Sequence, residues 1–194
     1  MEIVKGKIEY VENFIDLVIM TGERFLAATF GKNFRKMLEI LYQSSGNLFS
    51  HECSVFAVEN DVVLGLAHGY SYDYAKKWRL RTGKLILQQT GLFKLASLLK
   101  IDRILGKHSP GEFYLSNLAV YPQYRKMGIG KLLLEEIFKI ALENRCDRIV
   151  LDVESENHVA RNLYHKLGFE DEHESQLQIS KAQFCFIRMA RKMT

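Results

Sequence analysis

The sequence predicts an α/β (α+β) domain built on a mixed sheet. Three observations carry that expectation. Segments of strand and helix character alternate through the second half of the chain, the pattern of a layered core. The strand candidates are rich in β-branched and aromatic residues, whereas the helix candidates repeat apolar residues at helical spacing. The third is size. The 194 residues are 47% hydrophobic, suit one domain with a sizeable core, and contain no repeat or low-complexity tract that would divide them. Residues 1–194 are therefore read as a single domain.

Ile3–Val11 starts the chain as a strand. Asn13–Ala28 and Phe34–Gln43 read as helices, because Phe14, Leu17 and Val18, then Met37 and Leu41, recur on one face. SSGN, Ser44–Asn47, is a turn. SVFAVEN and VVLGLAHGYSY are strands, and the short Glu59-Asn60-Asp61 link suits a hairpin. Trp78–Lys107 reads as one or two helices interrupted near Thr90-Gly91, and HSPG, His108–Gly111, ends it. EFYLSNLAVY is a strand stopped by Pro122. Gly130–Asn144 is a helix with Leu133, Ile137, Ile140 and Ala141 on one stripe. RIVLDVE, Arg148–Glu154, is a strand, and His158–Leu167 is a short helix ended by Gly168. AQFCFIRMARK returns to strand.

Composition excludes several classes. No apolar run reaches the roughly 20 residues of a membrane span. MEIVKGKIEYVENF carries acids early and lacks a continuous apolar core, so it does not read as a secretory leader. Cys53, Cys146 and Cys185 are far apart and odd in number, with no CxxC pair. Neither a disulfide framework nor a metal site is indicated, and a reducing cytoplasm is the expected location. The net charge of +4 is unevenly spread: Lys76–Lys107 holds nine Lys/Arg and one acid, leaving the rest of the chain at −4.

The most informative stretch is YRKMGIGKLLLEEIF, Tyr124–Phe138. Two glycines stand where a helix begins, although glycine is a poor helix former. The first N–H groups of a helix lack internal partners and carry partial positive charge. Glycines there admit an anion, and Arg125 and Lys126 add attraction, so the turn reads as a phosphate seat. A P-loop does not fit: Leu132 follows Gly130-Lys131, and no glycine lies five residues before Gly130. A dinucleotide turn fits poorly, because Leu133 stands in place of its third glycine.

LAVYPQYRKMGIGKLLL followed about thirty residues later by VESENHVARNLYHKLGFE resembles the GNAT superfamily of acetyl-CoA-dependent N-acetyltransferases. Arg125, Gly128 and Gly130 match its first signature; Asn157, Ala160, Leu163, Tyr164 and KLGF at Lys166–Phe169 match its second. The resemblance runs from about Phe113 to Phe169. It implies a GNAT fold: a mixed central sheet of about seven strands with a splayed central pair, helices on both faces and coenzyme A in the opening. The CoA pyrophosphate would rest on Arg125, Lys126, Met127, Gly128, Ile129, Gly130 and Lys131. The pantetheine arm would pair with Leu118, Ala119 and Val120 like an added strand. A bulge near Asn117–Leu118 could aim a backbone N–H at the thioester oxygen.

The same resemblance assigns Tyr164 as the acid that protonates the leaving thiolate; the alternative is a core tyrosine. Asn157 and Ala160 would meet the pantetheine, with helix capping the other reading of Asn157. Alternation places Glu112, Tyr114 and Ser116 on one strand face, and Glu112 is the only full base among them. It is the candidate general base, set against the reading of an exposed carboxylate at the strand's start. His51-Glu52-Cys53 reads as a loop into the sheet, and His68 and Tyr70 as sheet packing rather than groove residues.

Compact members of the family join these strands with a few residues, so Trp78–Lys107 is an insert before the fourth strand. It carries Leu85, Ile86, Leu87, Leu92, Phe93, Leu95, Leu98, Leu99, Ile101, Ile104 and Leu105, more apolar surface than an exposed helix should hold. The composition favours a lid or homodimer contact over a membrane or nucleic-acid contact. The expected function is transfer of an acetyl group from acetyl-CoA, as co-substrate and without a metal, to a primary amine in a ternary complex. Protein N-termini, small amines and polyamines are all open as acceptors. A non-catalytic acyl-CoA sensor is the alternative.

Overall fold

The computed structural model describes residues 1–91, 105–179 and 181–193. Among these, β1 (Glu2–Lys5), α1 (Val11–Phe30), α2 (Phe34–Gln43), β2 (Ser54–Glu59), β3 (Val62–Ser71) and α3 (Tyr72–Thr90) precede β4 (Glu112–Val120), α4 (Ile129–Glu143), β5 (Arg148–Glu154), α5 (His158–Lys166), β6 (Glu170–Ile179) and β7 (Ala182–Lys192). The strands form one mixed sheet in the order β1-β2-β3-β4-β5-β7-β6.

The first strand is shorter than the expected Ile3–Val11. After Lys5 the chain crosses so close to the next segment that a Cβ on Gly6 would lie 2.3 Å from the His51 carbonyl oxygen. A short 3-10 turn at Ile8–Tyr10 then leads into α1. The β2–β3 hairpin turns on Asn60 and Asp61, both at positive φ (49° and 63°), the handedness a two-residue hairpin loop needs.

Helix α3 begins six residues before Trp78. Ser71 caps it, its hydroxyl accepting from the Tyr74 N–H, and the buried stripe Ala75, Thr82, Ile86 starts ahead of the cationic run. The Thr82 hydroxyl accepts from the buried Leu48 N–H at 2.9 Å, so this half of the insert is part of the core. The helix stops at Gly91, φ 74°, next to the expected break. The apolar residues expected to continue it, from Leu92 to Ile104, lie outside the described residues. β6 has no counterpart among the expected elements. Its sequence, EDEHESQLQI, buries only Leu177 and Ile179, because an edge strand is held mainly by backbone pairing to β7.

Two cores sandwich the sheet. On one face Ile129, Leu133 and Ile137 of α4 meet Phe113, Leu115, Ile149 and Leu151. On the other, Phe14 and Leu17 of α1 and Leu38 and Leu41 of α2 meet Phe56 and Leu66. Each fully buried Leu or Phe contributes about 1.5–3 kcal/mol of transfer free energy. A third cluster fastens α1 to the β6–β7 hairpin: Phe25 stands edge-on to Phe184 and Phe186 at 5.4 and 5.6 Å.

His68 packs in the core, as expected. One ring nitrogen meets Ser54 Oγ and the other the Leu48 carbonyl, each at 2.8 Å. Burial lowers its pKa to about 4. Since an unfolded histidine titrates near 6.5, the unfolded state binds the proton first and stability falls with pH between those values. Acidification from pH 7 to 4 should cost about 3 kcal/mol at this one site. Urea titrations of parent and His68→Asn check it: the pH slope between 6.5 and 4 should flatten in the variant.

Candidate active site

β4 and β5 run parallel but pair only at Glu112↔Arg148, Phe113↔Ile149 and Tyr114↔Val150. Beyond Val150 β5 continues against β7 to Glu154, while β4 continues against β3 to Val120. The strands therefore part and leave a V-shaped opening in the middle of the sheet. β4 also carries a bulge. His68 faces Asn117 and Gly69 faces Leu115, so Ser116 is the extra residue. It lies one residue from the expected bulge and reverses the alternation. Phe113 and Leu115 point toward α4, but so do Leu118 and Val120, while Asn117 turns to α1 and donates to Thr21 Oγ1 at 2.7 Å.

The turn between β4 and α4 has the form expected of an anion seat. Lys126 and Gly128 have positive φ (64° and 79°), and Gly128 is the helix N-cap. The first internal bonds run from Lys131 N and Leu132 N to the Gly128 carbonyl. None of the N–H groups of Lys126, Met127, Gly128, Ile129 or Gly130 donates to an acceptor among the described residues. Consecutive free N–H groups at a helix start form a concavity that suits phosphate. A Cβ on Gly128 would touch nothing within 4 Å, and one on Gly130 would make only ordinary contacts with Leu163 and Val120. The space beside these glycines is therefore open toward solvent rather than filled by protein. Arg125 folds back, its Nε donating to the Val120 carbonyl at 3.1 Å, which ties the turn to the end of β4.

Across the opening stands α5. Asn157 caps it, its side-chain oxygen accepting from the Ala160 N–H at 3.1 Å. The capping reading of Asn157 is therefore realised, and its amide NH2 is left over. Tyr164 is 7% exposed and lies against Phe169 with ring centroids 5.5 Å apart. Burial pushes its phenol pKa well up, which keeps the proton on the ring at neutral pH.

Glu112 is not in the opening. It sits at the closed end of the β4–β5 pair, bonded to Arg148 Nη1 at 2.8 Å and accepting from the Ser109 N–H at 2.7 Å. Arg148 also holds Glu172. Four residues of strand separate Glu112 from the bulge, about 13 Å. Its carboxylate is paired with the Arg148 guanidinium at the start of the strand and does not face the splay.

The acidic groups that do reach the splay come from β5. Ile149, Leu151 and Val153 belong to the α4 side, so Asp152 and Glu154 face α1 and the β6–β7 hairpin. Asp152 is fully engaged. Arg188 Nε lies 2.8 Å from Oδ1, while Tyr114 Oη and the Gly106 N–H each donate to Oδ2 at 3.1 Å. Burial nonetheless raises its pKa. Glu154 is half-buried, and burial raises its pKa also, against the pull of Arg24. Period-two alternation in RIVLDVE could have singled out both; nothing local in the sequence reveals which one Arg188 occupies. His51-Glu52-Cys53 is a 3-10 turn into β2, as expected. Among the described residues no group of three or more His, Cys, Asp or Glu could hold a metal ion, and no helix is long and apolar enough to cross a membrane.

A family model described as the acetyltransferase (GNAT) family matches residues 23–169. Xenopus laevis N-alpha-acetyltransferase 30 is 41% identical over 56 residues, 29% of this chain and 20% of that protein. Mouse thialysine N-epsilon-acetyltransferase is 40% identical over 63 residues, 32% of this chain and 37% of that one. The chain thus spans well under half the length of either relative. An N-acetyltransferase structure from Staphylococcus aureus Mu50 superposes with a TM-score of 0.70 at 18% identity, covering 98% of this chain and all of that one, a likeness of fold.

Proposed function

The chain belongs to the GNAT acetyltransferase family, and from that premise we propose that it transfers an acetyl group from acetyl-CoA to a primary amine by direct attack in a ternary complex. The observation that carries the reading is the row of free N–H groups from Lys126 to Gly130 at the mouth of the β4–β5 splay. That row, with Lys131, takes the pyrophosphate. Leu118, Ala119 and Val120 no longer pair with β5, so their outward backbone groups are available to the pantetheine. Asn157, through its spare amide NH2, and Ala160 meet the same arm from α5. The bulge at Ser116 turns backbone N–H groups toward the carbonyl, where charge develops as the amine attacks. Tyr164 donates a proton to the departing sulfur. None of these roles needs a nucleophilic side chain.

The relatives act, by their names, on protein N-termini and on thialysine, so the shared segment leaves the acceptor open. Helix α3 packs Leu85 and Ile86 into the α1–α2 core, with Lys76, Lys77, Arg81 and Lys84 exposed, and is proposed as a wall of the acceptor groove. The test is thiol release from acetyl-CoA with thialysine, spermidine and a peptide with a free N-terminal alanine. Release that depends on an amine supports the reading. Tight binding of acetyl-CoA without release from any amine would favour an acyl-CoA sensor.

A further inference from the structure

The transferase reading leaves one chemical role without a residue. An amine arrives protonated at neutral pH, and Glu112, the carboxylate expected to deprotonate it, is held by Arg148. We propose that Glu154 receives the acceptor: its carboxylate pairs with the incoming ammonium and takes the first proton. This rests on the acetyl-transfer reading of the same cleft.

Position is the first argument. Glu154 lies four residues beyond Val150, the last β5 residue paired with β4, so it is about 13 Å into the splay. It faces α1, away from the α4 core and the phosphate seat. Its register partner on β7 is Phe186, part of the aromatic wall with Phe25 and Phe184. An amine held in the splay on the α1 face of the sheet therefore meets it beside that wall.

Access is the second. Helix α1 breaks its regular dihedrals at Gly22, directly opposite. A Cβ built there would already stand 4.0 Å from Glu154 Oε1. Any larger side chain at residue 22 would enter the space in front of the carboxylate. The missing side chain keeps that space open.

Availability is the third. Asp152, one pleat deeper, has both oxygens engaged by Arg188, Tyr114 and Gly106. The Glu154 carboxylate forms no hydrogen bond or ion pair among the described residues. Two charged groups act on it. Arg24, from α1, favours the carboxylate form but spends its guanidinium on the Gln183 carbonyl and the Phe184 ring. Glu156, from the turn after β5, opposes ionisation. A partly desolvated carboxylate between them binds an ammonium well and is a better base than a solvated one.

The protons balance. The ammonium gives one proton to Glu154, which later releases it to solvent. The free amine attacks the thioester carbonyl, forming the C–N bond. As the C–S bond breaks, Tyr164 protonates the sulfur and regains a proton from the nitrogen, leaving an amide and a free thiol.

The experiment uses the best acceptor of the thiol-release panel and measures kcat/KM from pH 6.5 to 10 for parent, Glu154→Gln, Glu154→Asp and Gly22→Val. Glu154→Gln should lose at least tenfold at pH 7. Its deficit should shrink toward pH 10, where a Lys-like amine, pKa about 10.4, is increasingly free in solution. Glu154→Asp should recover part of the loss. Gly22→Val should lose activity with Glu154 intact, and CoA titration should be unchanged in all three. Parent-like activity in Glu154→Gln, a deficit constant across pH, or a matching loss of CoA binding overturns the assignment. If the parent binds acetyl-CoA yet acetylates no amine, the transferase reading itself fails and this role with it.

Discussion

Tyr164→Phe should lower turnover by about 10²-fold, while CoA affinity stays within about twofold. The substitution keeps the ring against Phe169 and the contacts that seat α5 on the sheet, removing only the phenol oxygen. A packing role alone would therefore leave turnover nearly unchanged. The size of the loss follows from the proton balance. A thiolate has a pKa near 8.5, whereas burial has pushed the Tyr164 phenol well above its ordinary 10. Net transfer from tyrosine to sulfur is uphill, so in the proposed role the residue would donate as it recovers a proton from the tetrahedral nitrogen. Phenylalanine cannot take part in that exchange, and water must reach a 7% exposed position to replace it. Pre-steady-state thiol release, with calorimetry for CoA, separates the two quantities. Near-parent turnover would mean that another group protonates the sulfur.

Gly128→Glu should weaken CoA binding at least tenfold, about 1.4 kcal/mol, in a protein that still folds. A Cβ at residue 128 meets no neighbour within 4 Å, so nothing internal is crowded. Its φ of 79° costs a non-glycine residue about 1–2 kcal/mol of local strain, tolerable on a solvent-facing turn. The larger effect is a carboxylate set among the N–H groups proposed to hold the pyrophosphate. Gly128→Asn controls for conformation, since asparagine accepts left-handed backbone and carries no charge. Its affinity should stay within about threefold of the parent. Unchanged affinity in the glutamate variant would remove the phosphate role from this turn.

Much of this molecule was legible locally. The glycine turn, its cations and the helix behind it could be read because a glycine-bearing helix start and its unpaired N–H groups are set by consecutive residues. The same holds for α2, the β2–β3 hairpin and the cap at Asn157, each decided within a few residues. Strand β6 was missed for the complementary reason: it buries little, so it has almost no apolar pattern to read.

The sequence by itself determined the family, most of the elements in their order and the glycine turn at the start of α4, because those depend on interactions between near neighbours in the chain. Only the tertiary structure decided which carboxylates are free. Glu112 and Arg148 are 36 residues apart, as are Asp152 and Arg188, and their pairing depends on strand register. The bulge at Ser116 also reversed the face on which alternation would have put Asn117. Glu154 became a candidate because α1 breaks at Gly22 in front of it, 132 positions earlier in the chain. Whether a carboxylate is neutralised depends on what lies within a few ångströms of it, and spacing along the chain carries no record of that.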